Sequence, residues 1–350
     1  MSWRGGEQQL AYLIEELKGR IGLFVVCSKD SSMETFCKHS DIPFYSMPKR
    51  AGLNFRIANK LAQMCKKEKF TCMHTHDAHA HTHTFLSAIL FGNTTPLIVS
   101  RRVDFPIQNN WLSKLKYNHA SVKKILCVSE AILAITAIGI KDHRKLHVVY
   151  SGIDTEKFNT PVSKLRNELG LSSQHFIVGN TSALADHKDY FTFLKVADRF
   201  IENNIDTHFV IIGEGPMENE IKSFSSTLKN RSNIHFVGFR NDVSEILSEL
   251  NVFLITSKTE GLGTSILDAL AAKVPVVATK AGGIPEIIKD DQNGLLCDVG
   301  DIQSIVTSVT RMKTDLIFRK RIIDNGRQSV MRFSKTQMAE NTLQHYEDLK

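Results

Sequence analysis

The chain has 350 residues, of which 42% are hydrophobic and 23% are charged. This is the composition of a globular protein with room for two domains of about 150 to 170 residues, and it excludes a disordered or low-complexity protein. The formal net charge of +7 suits anionic ligands, anionic lipid or nucleic acid, although a slightly basic enzyme explains it equally well.

Membrane-spanning and disulfide-rich classes are disfavoured. No apolar run approaches the roughly 18 to 20 residues that span a bilayer, and the first residues, MSWRGGEQQ, lack the pattern of a signal peptide. Six cysteines are scattered without a C-x-x-C pair, which favours reduced, mostly buried thiols. We therefore expect a cytoplasmic protein whose membrane contact, if any, is peripheral.

In the N-terminal half, short apolar runs alternate with helical patterns. A helical pattern over residues 10–17 follows directly on Gly5 and Gly6, which we interpret as a loop. Further helices are predicted near 32–39 and 55–67, and strands at 22–27, 44–47, 72–75, 97–100 and 125–128. Such alternation predicts a parallel, doubly wound sheet with ligands beyond the carboxyl ends of its strands.

The domain boundary is predicted in the turn-rich segment VVYSGIDTEKFNTP, and a second alternating series follows it. Its strands are predicted at 175–179, 208–213, 234–237, 252–256, 274–279 and 294–297, with helices at 190–203, 217–228, 242–250, 284–289 and 301–312. The fold class is therefore α/β, with two Rossmann-like domains at 1–155 and 156–330. A helical tail occupies 331–350.

The most informative stretch, NVFLITSKTEGLGTSILDALAAKVPVVATKAGG, ends at Gly283. It reads as a strand, a loop with Glu260 and two glycines, a short helix and a second strand. The glycines let the main chain approach phosphate oxygens, and a helix N-terminus favours negative charge. Glu260 and Asp268 can both accept hydrogen bonds from sugar or ribose hydroxyls. A capped βαβ turn with incidental acids accounts for the spacing as well.

The order E-G-x-G-x-x-x-x-D, followed by A-A-x-x-P-V-V-A-T-x-x-G-G-x-P-E, resembles the E-x7-E signature of retaining glycosyltransferase family 4. Members of this family have the GT-B architecture, in which two Rossmann-like domains face each other across a cleft and the tail packs on the N-terminal domain. The second acid is Asp268 here, where most members carry Glu. Gly152, Ile153, Asp154 and Phe158 match the segment that precedes the second domain.

The resemblance implies roles at the donor site. Glu260 would bind hydroxyls of the donor sugar, Asp268 the ribose diol and Lys188 the diphosphate. Lys188 matches the lysine of a Gly-Arg-Leu-x-x-x-Lys segment, but Ala183 stands in place of its arginine. The other donor-binding candidates are Gly5, Gly6, Gly238, Phe239, Ser257, Gly261, Leu262, Gly263 and Thr264, the last of which could instead cap a helix.

The resemblance also implies a reaction without a protein nucleophile, a metal or another cofactor. The leaving diphosphate itself takes the proton of the acceptor, and the anomeric configuration is retained. In the family a buried strand precedes the Gly-Gly loop, and the residues before Gly5 leave no room for it. We therefore expect the true or ancestral start to lie upstream of Met1.

Five histidines crowd the segment HTHDAHAHTHT, namely His74, His76, His79, His81 and His83. On an extended chain, alternate histidines could bind a metal. We favour a strand that ends near His74 and His76 and lines the cleft, with His81 and His83 on the next helix. By resemblance, His76 touches the transferred sugar. The acceptor-side candidates are His74, Arg101, Arg102 and Asp104.

The predicted function is transfer of a hexose-type sugar from a nucleotide diphosphate sugar to a glycan or lipid-linked acceptor, in cell-surface polysaccharide or lipopolysaccharide biosynthesis. A GT-B sugar-nucleotide epimerase and a catalytically impaired nucleotide-sugar-binding subunit remain as alternatives. Basic runs at 66–69, 114–116 and 123–124 indicate either contact with an anionic membrane or solvated helix faces. No nucleic-acid partner is expected.

Overall fold

The computed structural model describes residues 3, 5–48, 54–158 and 163–350. The chain forms two compact units, which we call unit 1 (Met1–Ile153 with Phe333–Lys350) and unit 2 (Asp154–Arg332). The predicted domain boundary, after residue 155, lies close to this division. Each unit is an α/β body built on parallel strands, as the alternation of apolar runs and helical patterns predicted.

Unit 1 starts with a helix and then alternates strands with helices. Asn54 and Asp77 fix two helix starts, because their side chains accept hydrogen bonds from first-turn N–H groups. The elements before the boundary are α1 (Gly5–Leu17), β1 (Val25–Ser28), α2 (Ser32–His39), β2 (Phe44–Met47), α3 (Phe55–Glu68), β3 (Met73–Thr75), α4 (Ala78–Phe91), β4 (Leu97–Arg101), α5 (Trp111–Asn118), β5 (Val122–Cys127), α6 (Glu130–Ala137) and β6 (Leu146–Val148).

Helix α1 corrects one prediction. It begins at Gly5, so Gly5 and Gly6 form the first helical turn rather than a loop. Glu7 lies in that turn, where a negative charge interacts favourably with the helix N-terminus, and Leu13 and Leu17 are buried. Packing of the apolar side therefore outweighs the low helix propensity of the glycines.

The strands of unit 1 form two parallel sheets. One holds β1 and β2, and the other holds β3, β4, β5 and β6 in that order. No ladder joins the two sheets among the described residues. The expected strand upstream of Met1 is not tested by these residues and stays a prediction.

Unit 2 follows the same alternation. Its elements are α7 (Lys164–Leu169), β7 (Phe176–Thr181), α8 (Tyr190–Ile201), β8 (Thr207–Ile212), α9 (Glu218–Ser226), β9 (Ile234–Phe236), α10 (Val243–Ile246), β10 (Val252–Ile255), α11 (Thr264–Ala271), β11 (Val276–Thr279), α12 (Ile284–Ile287), β12 (Leu295–Cys297), α13 (Ile302–Thr314) and α14 (Leu316–Val330).

The sheet of unit 2 contains six parallel strands in the order β12-β11-β10-β7-β8-β9. Strands β10 and β11 are buried along their whole length, which explains why the sequence shows continuous apolar runs there instead of alternation. The chain winds in opposite directions from β7 and from β10. Ligands of such sheets bind beyond the carboxyl ends of the strands at this reversal.

The last helix, α15 (Lys335–Glu347), belongs to unit 1. Its Met338 and Ala339 share a core cluster with Leu13 and Leu17 of α1. Unit 1 therefore contains both ends of the described chain.

The cysteines are buried thiols, as the sequence predicted. Five of the six are buried, Cys72 is half-buried, and all six are free thiols. In the described part of the chain, no helix combines the length and the apolar character that crossing a bilayer requires.

Candidate functional site

A polar cluster of unit 2 lies at the carboxyl ends of β7 and β10. Lys188 ends a short turn after β7, and Ser257 and Glu260 lie in the loop after β10. The two strands are neighbours in the sheet, with Val178 opposite Val252. The cluster therefore occupies the place at which the winding of the sheet reverses, where a ligand is expected.

The Glu260 carboxylate receives two hydrogen bonds on one oxygen. Lys188 Nζ donates to Oε1 at 2.5 Å, and Ser257 Oγ donates to the same oxygen at 2.8 Å. Only 8% of the Glu260 side chain and 15% of the Lys188 side chain are exposed, so water weakens their attraction little. The structure brings three residues of the predicted donor site into direct contact.

The loop after β11 packs against the backbone of Glu260 and fixes its position. Gly282 has a φ of +52°, and a Cβ added to it would lie 1.9 Å from the Glu260 carbonyl oxygen. The Gly283 N–H donates to the same oxygen at 3.1 Å, and Thr279 Oγ1 donates to the Ser257 carbonyl oxygen at 2.6 Å. Sequence analysis gave these residues no role. Paired glycines after a buried strand were the available signal for a close backbone approach.

Gly261, Leu262 and Gly263 connect Glu260 to α11. Gly263 is the N-cap of the helix and has a φ of +94°. Thr264 therefore begins α11, and the interpretation of Thr264 as its cap is wrong. The side chain of Leu262 is buried, so a ligand contact from this residue would come from its backbone.

Asp268 lies in the second turn of α11. Burial raises the pKa of its carboxyl to about 7, against a weaker opposing effect of the Lys157 ammonium. A carboxyl with that pKa exchanges between acid and carboxylate near neutral pH.

The segment with the donor-binding candidates Gly238 and Phe239 follows β9. Gly238 has a φ of +70°, and Phe239 is exposed over 53% of its surface. Glu214 Oε1 accepts a hydrogen bond from the Phe239 N–H at 3.3 Å, and the Gly213 N–H donates to the Gly238 carbonyl oxygen at 2.8 Å. The backbone of this segment is therefore fixed, and the phenyl ring of Phe239 is open to a planar ligand.

The segment that resembles the family's arginine and lysine motif packs closely on a glycine. A Cβ added to Gly215 would lie 2.4 Å from the carbonyl oxygen of Leu184, so Gly215 permits this close packing. Ala183 is exposed, and Leu184 is buried.

His74, an acceptor-side candidate, is engaged within unit 1. The Tyr346 hydroxyl lies 2.6 Å from its Nδ1, and Ser100 Oγ lies 2.9 Å from its Nε2. Burial lowers the pKa of His74 to about 3, so the ring is neutral at physiological pH. His74 thus connects β3 to β4 and to the returning helix α15.

His76 lies next to it, with ring centroids 4.1 Å apart. Burial, followed by the influence of His74 and Arg102, holds the pKa of His76 well below its ordinary value. Arg102 Nη2 lies 3.5 Å from His76 Nδ1, and burial lowers the pKa of Arg102 to about 10. A neutral imidazole beside a guanidinium can exchange hydrogen bonds with a sugar hydroxyl.

Arg101 and Arg102 have different surroundings, although they are adjacent in sequence. Arg101 is buried, donates to the Phe105 carbonyl oxygen, and has its guanidinium 5.1 Å from the Phe105 ring and 5.9 Å from the Tyr117 ring. Through these contacts it fixes the loop that follows β4 within unit 1. Asp104 is half-buried in that loop.

The extended chain that the metal interpretation of the histidine-rich segment assumed ends before α4. Asp77 Oδ1 accepts hydrogen bonds from the His79 and Ala80 N–H groups at 2.7 and 2.8 Å and so starts α4 there. His81 and His83 are buried on this helix, as the favoured interpretation predicted. No group of three or more His, Cys, Asp or Glu residues suited to a metal ion occurs in the described part of the chain.

Two family models match the chain. The model described as Glycosyltransferase Family 4 matches residues 3–157, and the model described as Glycosyl transferases group 1 matches residues 161–329.

Among curated proteins, the chain is 27% identical over 298 residues to the UDP-Gal:alpha-D-GlcNAc-diphosphoundecaprenol alpha-1,3-galactosyltransferase of Escherichia coli, covering 79% of this chain and 76% of that protein. It is 23% identical over 295 residues to the N-acetyl-alpha-D-glucosaminyl L-malate synthase of Bacillus anthracis, covering 82% of this chain and 76% of that protein.

Solved structures have the same fold. HepE (Alr3699) of Anabaena, in complex with UDP and glucose, superposes with a TM-score of 0.85 at 19% identity, covering 98% of this chain and 96% of that one. The lipopolysaccharide outer core galactosyltransferase WaaB in its apo form has a TM-score of 0.75 at 15% identity and covers 99% and 96%.

Proposed function

Since the chain belongs to the glycosyltransferases of the GT-B fold, we propose that it moves a hexose-type sugar from a UDP-sugar to a lipid-linked or glycan acceptor, with retention of the anomeric configuration. Its place is in cell-surface polysaccharide or lipopolysaccharide biosynthesis, on the cytoplasmic face of the membrane. The UDP donor is inferred from the UDP and UDP-glucose complexes of HepE. The acceptor class follows the lipid-diphosphate substrate in the name of the Escherichia coli relative.

The contact of Lys188 and Ser257 with Glu260 carries the proposal. A buried ammonium beside a carboxylate, both at the carboxyl ends of neighbouring strands, offers opposite charges to the two parts of a sugar nucleotide. Lys188 would stabilise the negative charge that grows on the leaving diphosphate. Glu260 would accept hydrogen bonds from the sugar hydroxyls.

The proposed reaction is a direct exchange at the anomeric carbon. The bond from this carbon to the acceptor oxygen forms on the side from which the diphosphate departs. The proton of the acceptor hydroxyl moves to a diphosphate oxygen, so UDP leaves and no covalent enzyme intermediate arises. Stabilisation of the leaving group is assigned to Lys188 and to backbone N–H groups near Gly261 and Gly263, without a metal or another cofactor.

Two further contacts are assigned to the nucleotide. Asp268 binds the ribose diol, and Phe239 lies against the base. On the acceptor side, His76 and Arg102 bind hydroxyl groups, because His76 is neutral and Arg102 lies 3.5 Å from it. His74 positions His76 and makes no contact with substrate.

A thermal-shift screen with UDP, GDP and ADP sugars tests the donor site, since a ligand that binds only the folded state stabilises it in proportion to occupancy. We expect UDP-sugar to raise the Tm of the wild-type protein and to raise it much less in Lys188→Ala and Glu260→Ala. Lys258→Ala is the matched control, because Lys258 is an exposed lysine paired with Asp186 nearby.

A UDP-sugar shift that is equal in all four proteins would discard this donor site. Stereochemistry is tested separately, by NMR of the glycosidic bond formed with a lipid-diphosphate sugar acceptor. An inverted product would refute retention and leave the donor site intact. The epimerase and the impaired subunit receive no support from the two curated relatives or from WaaB, whose names are those of two transferases and a synthase.

A further inference from the structure

Helix α5 turns its apolar residues outward. Trp111 is 71% exposed, Leu112 is 54% exposed and Leu115 is 45% exposed. We call these three side chains the outer face of α5. A surface helix normally buries its apolar side, so this arrangement is inverted.

Helix geometry shows that the outer face is continuous. At about 100° per residue, the three side chains fall within an arc of about 100°, and Ser113 and Tyr117 lie on the opposite side. Tyr117 is the buried residue of α5. Its ring lies edge-on to the His81 ring, with centroids 4.6 Å apart. The helix is therefore anchored to α4 through its less apolar side.

The stretch of sequence that contains the outer face is basic. Residues 105–129 contain Lys114, Lys116, Lys123 and Lys124 and no Asp or Glu. Lys114 is exposed on α5 itself. At the end of the helix, Asn118 Oδ1 accepts a hydrogen bond from the Lys141 N–H at 2.7 Å, and the nearby Ile138 is 82% exposed. Residues 105–129 thus combine apolar side chains and cations without an acid of their own, while Asp77 from outside this stretch interacts with the Lys116 ammonium.

The structure also corrects the sequence-based choice of basic residues. Lys124 is buried, and its ammonium pairs with Asp348. It cannot approach a lipid headgroup while this pair is intact. The positions of the basic residues therefore do not by themselves identify a membrane-facing side of unit 1. The exposed apolar side chains of the outer face of α5 identify one.

We propose that the outer face of α5 docks unit 1 on the surface of an anionic phospholipid bilayer. The indole of Trp111 lies at headgroup level, the two leucines enter the acyl boundary, and Lys114 binds lipid phosphate. This inference rests on the proposed function: a lipid-linked acceptor is held in the bilayer, and docking would bring the enzyme to it. Binding is reversible, as expected of one short helix with a few apolar side chains.

Trp111 supplies its own probe, because the chain has two tryptophans, Trp3 and Trp111. Trp3→Phe keeps an aromatic ring against Phe36 and leaves Trp111 as the single tryptophan of the chain. We expect the emission of this variant to shift to the blue when vesicles of phosphatidylcholine and phosphatidylglycerol are added. The shift should be weaker with phosphatidylcholine alone and at about 0.5 M salt. Absence of a shift with the anionic vesicles overturns the proposal.

Co-sedimentation with the same vesicles tests the leucines. We expect the double variant Leu112→Ser, Leu115→Ser to lose about tenfold in partitioning. Ile205→Ser in unit 2 is the matched control, because Ile205 is also highly exposed, at 82%. Equal partitioning of the double variant and the wild type contradicts the proposal.

Two measurements distinguish bilayer docking from self-association and from failure of the donor site. A blue shift that needs no vesicles and grows with protein concentration identifies a contact between copies of the chain and overturns the membrane assignment. The UDP-sugar thermal shift, measured without vesicles, should be the same in the leucine double variant and the wild type. If the wild type shows no UDP-sugar thermal shift, the proposed donor is refuted, and the vesicle-binding results are unaffected.

Discussion

Lys188 and Glu260 neutralise each other at a nearly dry position, with the ammonium 2.5 Å from the carboxylate and most of both side chains out of water. Desolvation makes each charge dependent on the other. The pair is thus a structural element of unit 2 as well as a proposed donor contact.

The first prediction concerns the energetics of this pair. Lys188→Met alone and Glu260→Gln alone should each lower the free energy of unfolding by on the order of 3 kcal/mol, because each leaves a buried charge without a partner. The double variant should lose less than the sum. Urea unfolding of all four proteins gives the coupling energy. Additive losses would show that the two groups do not depend on each other.

The second prediction concerns Gly282. Gly282→Ala should abolish the UDP-sugar thermal shift, because its Cβ would displace the Glu260 backbone. Gly300 is the matched control, since it also has a positive φ, of +79°, and has open space around it. Gly300→Ala should cost about 1 kcal/mol of unfolding free energy from backbone strain alone and keep the ligand shift. Equal loss of the ligand shift in both variants would remove the special role of Gly282.

The third prediction concerns Asp268 and pH. Its folded-state pKa of about 7 lies above the unfolded value of about 3.9, so the folded state binds the extra proton and loses stability as pH rises from about 4 to 7. Asp268→Asn removes this loss. We expect the variant to gain on the order of 2 kcal/mol over the wild type at about pH 8 and little at about pH 4. Denaturant unfolding at the two pH values measures the difference, and a gain independent of pH would contradict the assignment.

The fourth prediction concerns His81, for which stability changes with pH in the opposite direction. Burial lowers the pKa of His81 to about 3, so the unfolded state binds more protons and stability falls as pH drops below about 6.5. His81→Phe keeps an aromatic ring against Tyr117 and removes this term. We expect it to lose about 1–2 kcal/mol less than the wild type between about pH 7 and pH 5. In the control His79→Ala, the replaced side chain is exposed. A wild-type pH profile in His81→Phe would count against the prediction.

The strongly periodic parts of the fold were predicted from the sequence, whereas the three helices α5, α7 and α14 were not. Helix α5 was not predicted because it has only eight residues, in which three apolar side chains alternate with polar ones. Helix α14 buries Phe318, Ile322, Gly326 and Val330 at four-residue intervals. Gly326 breaks that apolar pattern, and it lies where an added Cβ would be 2.8 Å from the Leu270 side chain of α11.

In the candidate site, residues within one motif could be predicted from the sequence, whereas contacts between residues far apart in the chain could not. A contiguous motif carries Ser257, Glu260 and the glycines, and Lys188 follows a predicted strand, so sequence analysis found them. The partner of His74 is Tyr346, 272 residues away, and no local pattern connects the two. Strand β5 was likewise predicted to begin at Ile125 instead of Val122, because the charge of Lys124 is balanced by the distant Asp348.

Because Met338 and Ala339 belong to the core that α1 helps to form, unit 1 cannot finish folding when its own N-terminal part leaves the ribosome. Domains commonly fold from the N-terminus as they emerge. Here the core is completed only after unit 2 and α15 have been synthesised. For this interval the apolar sides of α1 and β5 lack a covering helix. A helix translated after the whole of unit 2 thus decides when the first domain becomes stable.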